Sequence, residues 1–273
     1  MTSAKETRLD REALAAVLGK QHKVVSRRQI MTCGMTRDML NRRSRPEGQW
    51  QRLLPGVYLT VTGTPTTDQR DMAALLYAGP GAVITGPAAL RRFGLRAPRA
   101  DAVDVLVTAR RRRQSTGFVT VHRTTRVPSL ACVRDGIQFA LAPRAVADAA
   151  RGLTGLSEVR AVVAGAVQRR LCTLAQLIVE LDGGPVRGSA LLREALTEVG
   201  EGIRSTAEAD LRDLIIRAQL PAPMFNARLY AGGVLIAVAD AWWPDAGVAA
   251  EVDSREWHLS PQSWEETMRA TPG

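Results

Sequence analysis

The stretch Val24–Thr60, VVSRRQIMTCGMTRDMLNRRSRPEGQWQRLLPGVYLT, decides how the front of this 273-residue chain is read. Ser26-Arg27-Arg28-Gln29 has the spacing of a capping box, in which the serine hydroxyl and the glutamine amide satisfy the free N–H groups of a helix start. Val25 and Ile30 are placed as its hydrophobic staple. Gly34 suits the left-handed residue that closes a helix, and Thr36 opens another, with Met35 and Leu40 as the second staple and an end near Ser44. The turn between these helices is about three residues long and contains glycine, as helix-turn-helix units prefer. Upstream, Asp10 caps a first helix to Leu18, with Leu9 and Leu14 as staple. Downstream, WQRLLPGVYLTV gives two strand-like pieces joined at Pro55-Gly56, the shape of a wing.

In such a unit the third helix enters the major groove with its N-terminal residues near base edges. Arg37, Asn41, Arg42, Arg43 and Arg45 are therefore candidates for DNA contact, with Arg27 and Arg28 on the preceding helix. Arginine pairs bidentately with guanine or phosphate, and asparagine with adenine.

Charge agrees with this reading. Residues 1–62 carry a net +7 and residues 63–153 a net +8, whereas residues 154–203 and 204–273 carry −1 and −4. A basic front suits a polyanion, and the acidic tail suggests a different task. No apolar run is long enough for a membrane span, and the polar N-terminus shows no secretory signal. Cys33, Cys132 and Cys172 are odd in number and never spaced as CxxC. This argues against a disulfide framework or a zinc site and for a reducing cytoplasm.

In the middle of the chain, Val103–Val107 and Phe118–Val121 read as strands separated by Arg110, Arg111, Arg112 and Arg113. As the basic tip of a hairpin, these four would track phosphates or simply face solvent. GPGAVITGPAAL is not a phosphate-binding loop, because it lacks the terminal G-K-[ST]; Pro87 fits the first turn of a helix. His122 lies in an alternating strand and reads as a hydrogen-bonded structural residue. Residues 156–181 have helical spacing, and DGGPVRGS (182–189) is a flexible break.

The tail sets a puzzle. In VADAWWPDAGVAAEVDSREWH (238–258), two apolar runs flank Pro244–Gly247 and carry carboxylates where strands usually bury methyl groups. Paired as a hairpin across that loop, Trp243 faces Val248, Trp242 faces Ala249, Ala241 faces Ala250 and Asp240 faces Glu251. Asp253 projects from the same face as Glu251. Three acids so placed require a compensating cation, a raised pKa or another register. A magnesium site supplies the first of these, from a few carboxylates and water. Further expectations are a helix opened by Ser205 with Glu208 as the third residue of its capping box, a turn at LPAPMFN, a strand from about Val234, and a last helix in SPQSWEETMR.

Two resemblances extend the reading. Residues 24–60, with AVITGPAALRRFGL, VDVLVTARRRR, FVTVHRTTRVP and DGIQFALAPRAVADAARGL behind them, resemble AbiEi-type antitoxins of type IV toxin–antitoxin systems over about residues 10–153. The resemblance implies a winged helix that binds double-stranded DNA at the operon's own promoter. It also implies a nucleotidyltransferase-like toxin encoded nearby, counteracted without a stable complex. The series Glu208, Asp240, Glu251-Val252-Asp253 and His258 resembles the restriction-endonuclease-like PD-(D/E)XK superfamily, in the branch of very-short-patch-repair endonucleases. That implies Asp240 as the central Mg²⁺ ligand and Glu251 as its partner. Asp253 stands at the usual lysine position, Glu208 assists the metal, and His258 orients or protonates. The family usually continues beyond TMRATPG through a basic helix and a further strand, so the domain is expected to be C-terminally incomplete.

The expected architecture is mixed α/β and multidomain. It comprises a winged helix-turn-helix (1–62), an antitoxin-like α/β domain (63–153), a helical bridge and linker (154–201) and a partial restriction-endonuclease-like fold (202–273). The expected function is an antitoxin-type DNA-binding autoregulator with a nuclease-like tail. The alternative is an active Mg²⁺-dependent endodeoxyribonuclease.

Overall fold

The computed structural model describes residues 9–96, 101–128 and 131–252, and its contacts divide into two compact units, Met1–Gly152 and Leu153–Gly273. The chain has a mixed α/β, multidomain fold. None of its described helices is long and apolar enough to cross a membrane.

The first unit opens with helices α1 (Arg11–Lys20), α2 (Arg27–Thr32) and α3 (Arg37–Arg43) and strands β1 (Val24–Ser26), β2 (Gln51–Leu54) and β3 (Val57–Leu59). The starts of these helices follow local chemistry. Asp10 accepts from the Ala13 N–H, Ser26 and Gln29 form a complete capping box, and Thr36 accepts from the Met39 N–H. Leu14, Val25, Ile30, Met35 and Leu40 meet in one core with Cys33, Trp50 and Tyr58, so all three staples converge on the same apolar centre. Gly56 turns the wing at φ +77°, a conformation that favours glycine. The wing strands pair antiparallel, and β1 completes a three-stranded sheet in the order β1-β3-β2. The sequence does not announce β1, which is only three residues long.

Helix α4 (Thr67–Ala78) packs on this sheet and on a second one. The second sheet holds β4 (Val83–Ile84), β5 (Val103–Thr108), β6 (Val119–Thr124), β7 (Ala131–Arg134) and β8 (Ile137–Ala140), in the order β6-β5-β4-β8-β7. Helix α5 (Gly86–Arg92), with Pro87 in its first turn, packs against α6 (Ala142–Arg151). Asp148 of α6 ties the layers together. Its carboxylate accepts from Thr85 Oγ1 and Arg144 Nε at 2.8 Å and from Arg151 Nη1 at 2.9 Å.

One sequence expectation fails here. Strands β5 and β6 run parallel, with Val103 beside Val119 and Thr108 beside Thr124. Arg110–Arg113 therefore lie on a crossover rather than at the tip of a hairpin, because an antiparallel pair would be needed to place them there.

The second unit contains α7 (Leu156–Gln168), α8 (Leu174–Asp182) and α9 (Ala190–Arg217), then β9 (Met224–Ala231), β10 (Val234–Trp243) and β11 (Val248–Ala250). The strands form an antiparallel sheet in the order β11-β10-β9. Two expectations change. Helix α9 is continuous for 28 residues, so positions 205 and 208 lie inside it and not at a helix start. A helix-interior serine has no free N–H groups below it to cap. The supposed turn LPAPMFN contains the start of β9, whose Met224 pairs with Trp242. Residues of the expected last helix, SPQSWEETMR, lie outside the described residues.

Candidate nucleic-acid interface

The winged-helix core fixes which face of α3 reaches solvent. Leu40 is buried and Met39 half-buried, so Arg37, Asn41 and Arg42 are left exposed. Arg37 and Asn41 are four residues apart and share one face of the helix. Arg43 behaves differently. Its guanidinium lies over the Trp50 ring at 5.3 Å, and its carbonyl accepts from the Trp50 N–H at 3.0 Å. It is half-buried and closes the end of the helix. A Cβ on Gly48 would stand 2.1 Å from that same carbonyl, so only glycine lets the 44–49 loop fold so tightly. Arg45 leaves this loop into solvent, and Arg27 and Arg28 are exposed at the start of α2.

The sequence reading passed over one cation. Arg52 lies exposed on wing strand β2, and its signal was the alternation in QRLL. Beside it, Gln51 Nε2 donates to the carbonyls of Val61 and Gly63 at 3.0 and 2.8 Å, which pins the chain as it leaves the wing.

The four crossover arginines divide into two roles. Arg111 donates from Nη1 to the Ala78 carbonyl and from Nη2 to the Pro80 carbonyl, both at 2.9 Å. A cation on the last carbonyls of α4 is favoured by the helix dipole, so Arg111 is held as a cap. Gly79 permits this approach, since a Cβ there would meet Arg111 Nη1 at 2.2 Å. Arg113 stacks over the Tyr77 ring at 5.0 Å, while Arg110 and Arg112 are exposed. His122 Nε2 pairs with Asp104 Oδ1 at 2.7 Å, and this hydrogen bond raises the imidazole pKa above its ordinary value.

In the second unit the hairpin has the register expected from the sequence: Trp243 opposes Val248, Trp242 opposes Ala249 and Ala241 opposes Ala250. The ladder ends there. Asp240 Oδ2 accepts from the Val252 N–H at 2.7 Å, so one carboxylate oxygen is spent on securing the departing chain. Glu251 is exposed, Glu208 is half-buried within α9, and Asp253 and His258 lie outside the described residues. Among the described residues no three His, Cys, Asp or Glu side chains form a group able to hold a metal ion. The expected Mg²⁺ ligands, Asp240 and Glu251, thus stand just past the end of the ladder without a third His, Cys, Asp or Glu grouped with them among the described residues.

Comparison with known proteins yields little. No family model matches the chain, and no curated protein matches it. One solved structure, that of the RV2827C protein from Mycobacterium tuberculosis, aligns over 81% of this chain and 88% of its own, at 15% identity and a TM-score of 0.48. A likeness at that level carries no argument about function.

Proposed function

We propose that this chain is a DNA-binding regulator of the antitoxin type, reading double-stranded DNA through α3 and the wing. What supports the reading most is the exposed face of Arg37, Asn41 and Arg42, offered by a helix whose opposite side is locked into the apolar core. Arg27 and Arg28 at the start of α2 and Arg52 on the wing lie outside that core and carry the same sign of charge. In this arrangement the arginines grip phosphates and set the register, while Arg37 and Asn41 reach base edges. The target is the promoter of the chain's own operon, with a nucleotidyltransferase-like toxin as the functional counterpart. A gel shift with the upstream DNA tests this. Retention is expected for the wild type, and Asn41→Ala should narrow the difference between the cognate and a scrambled duplex. Equal retention of both duplexes by the wild type would sink the promoter reading.

A second reading, a Mg²⁺-dependent endodeoxyribonuclease, draws on the hairpin register, which makes Asp240 and Glu251 the next pair in line after Ala241 and Ala250. Metal-dependent nicking of supercoiled plasmid, lost in both Asp240→Ala and Glu251→Ala, would establish it. Absence of nicking in the wild type with Mg²⁺ or Mn²⁺ would remove it.

A further inference from the structure

Within the first unit, the winged helix and the α/β part enclose a cleft of about 910 Å³. Its lining comes from Arg27, Arg28 and the wing turn Pro55-Gly56, and from α4, the Gly79–Ala82 turn and the β7–β8 turn at Gly136. Two chemistries line it. Four arginines, Arg27, Arg28, Arg111 and Arg113, line the cleft, and among the described residues no carboxylate does. Met72, Leu75 and Leu76 of α4 supply an apolar wall.

The arginines are not equivalent. Arg111 is held by the carbonyls of Ala78 and Pro80 and gives a fixed positive floor. Arg113 is steered by its stacking on Tyr77, whose hydroxyl donates to the Gln114 carbonyl at 2.8 Å and so anchors the crossover. Arg27 and Arg28 are exposed at the start of α2. A set of guanidinium groups without a carboxylate favours a multiply charged anion, and the planar fork suits phosphate. An apolar wall beside such a set favours a ligand with a non-polar body as well as a charged end. The volume matches that of small-molecule sites, which run to about 1,000 Å³.

We propose that this cleft binds a small organic phosphate of mononucleotide kind, with its phosphate on Arg27, Arg28 and Arg113 and its body on Met72, Leu75 and Leu76. Because Arg27 and Arg28 serve both the cleft and the DNA-facing side of α2, occupation of the cleft withdraws them from DNA phosphates. The binding stands by itself; only its effect on DNA rests on the regulator reading above.

The test is calorimetric titration of the full chain with adenosine monophosphate, adenosine and inorganic phosphate, in the absence of DNA. The monophosphate is expected to saturate one site with a Kd below about 1 mM, with adenosine and phosphate each at least about ten-fold weaker. Arg113→Glu and Leu76→Asp are each expected to weaken the monophosphate at least about ten-fold, with circular dichroism and melting reporting whether either variant is folded. Phosphate binding as tightly as the monophosphate would overturn the organic ligand, and so would an unfilled site at millimolar monophosphate. Affinity unmoved in both variants would place the ligand elsewhere and overturn the site. For the coupling, monophosphate should release a fluorescent duplex from the wild type but not from Leu76→Asp. Independent binding of duplex and monophosphate would overturn the coupling. A failure to bind duplex at all would count against the regulator reading and leave the titration as evidence for or against the cleft.

Discussion

Removing cations one at a time from the winged helix should reveal its function through salt dependence. Five exposed arginines are the ones assigned to phosphates: Arg27, Arg28, Arg42 and Arg45 in or beside the second and third helices, and Arg52 on the wing. If each neutralises one phosphate of B-form DNA, log Kobs should fall against log salt with a slope of about −4.5. Between about 50 and 200 mM salt, that is a loss of roughly 500-fold in affinity. Fluorescence anisotropy with a labelled duplex measures it directly. Arg42→Ala should lessen the slope by about 0.9, as one fewer counterion is released. Arg43→Ala should leave the slope alone, because its guanidinium lies over Trp50, and should instead cost the fold about 0.5–1 kcal/mol. A slope near zero in the wild type would refute the whole argument. A slope that drops for Arg43→Ala but not for Arg42→Ala would refute the assignment of faces.

Other outcomes can be checked by denaturation. Asp71 of α4 is buried, both its oxygens lack a hydrogen-bond partner, and burial pushes its pKa from 3.8 up to about 6. The folded state thus holds a proton more tightly than the unfolded one, so this group's contribution to stability falls as pH rises from about 4 to 6 and is level above. Asp71→Asn should be the more stable protein at pH 7, by up to about 3 kcal/mol, and the gain should vanish near pH 4; a gain independent of pH would refute this. Asp148→Asn should destabilise by about 3 kcal/mol, since Arg144 and Arg151 would keep buried charge without its partner; urea midpoints measure it, and a change under 1 kcal/mol would count against it. Gly79→Ala should cost about 2–3 kcal/mol from backbone strain at φ +91° and collision with Arg111. Coupling it with Arg111→Ala should recover part of that loss, and strict additivity would show that the two residues do not meet.

The winged helix was legible because its signals are local. Asp10, Ser26-Gln29 and Thr36 each solve the hydrogen-bonding problem of a helix start within three residues, and the staples lie close by in sequence. The hairpin register at Trp242 was legible for a similar reason, since the length of the loop fixes it. The direction of β6 relative to β5 was not, because strand order is a property of the whole sheet and nothing in Val119–Thr124 encodes it. Ser205-x-x-Glu208 has the spelling of a cap, yet α9 runs through it, and whether a helix has already begun upstream is not written in those four residues. Strand β9 was hidden by Pro221 and Pro223, which mark a turn but not where it ends. Of the candidate interface, the sequence placed the cations. It did not separate Arg42, which is exposed, from Arg43, which is packed, because the partner of Arg43 is Trp50, beyond the helix itself.

The division after Gly152 bears on how the protein is born. Every described strand of the first unit finds its pairing partner before residue 153, so neither sheet waits for chain made later. Ribosomes add about 5–20 residues per second, so the remaining 120 or so residues take several seconds to emerge. Domains fold in far less time than that. The arginine-rich half is therefore expected to stand complete while the acidic half is still being translated, and a message cut short after Gly152 would still yield a folded product.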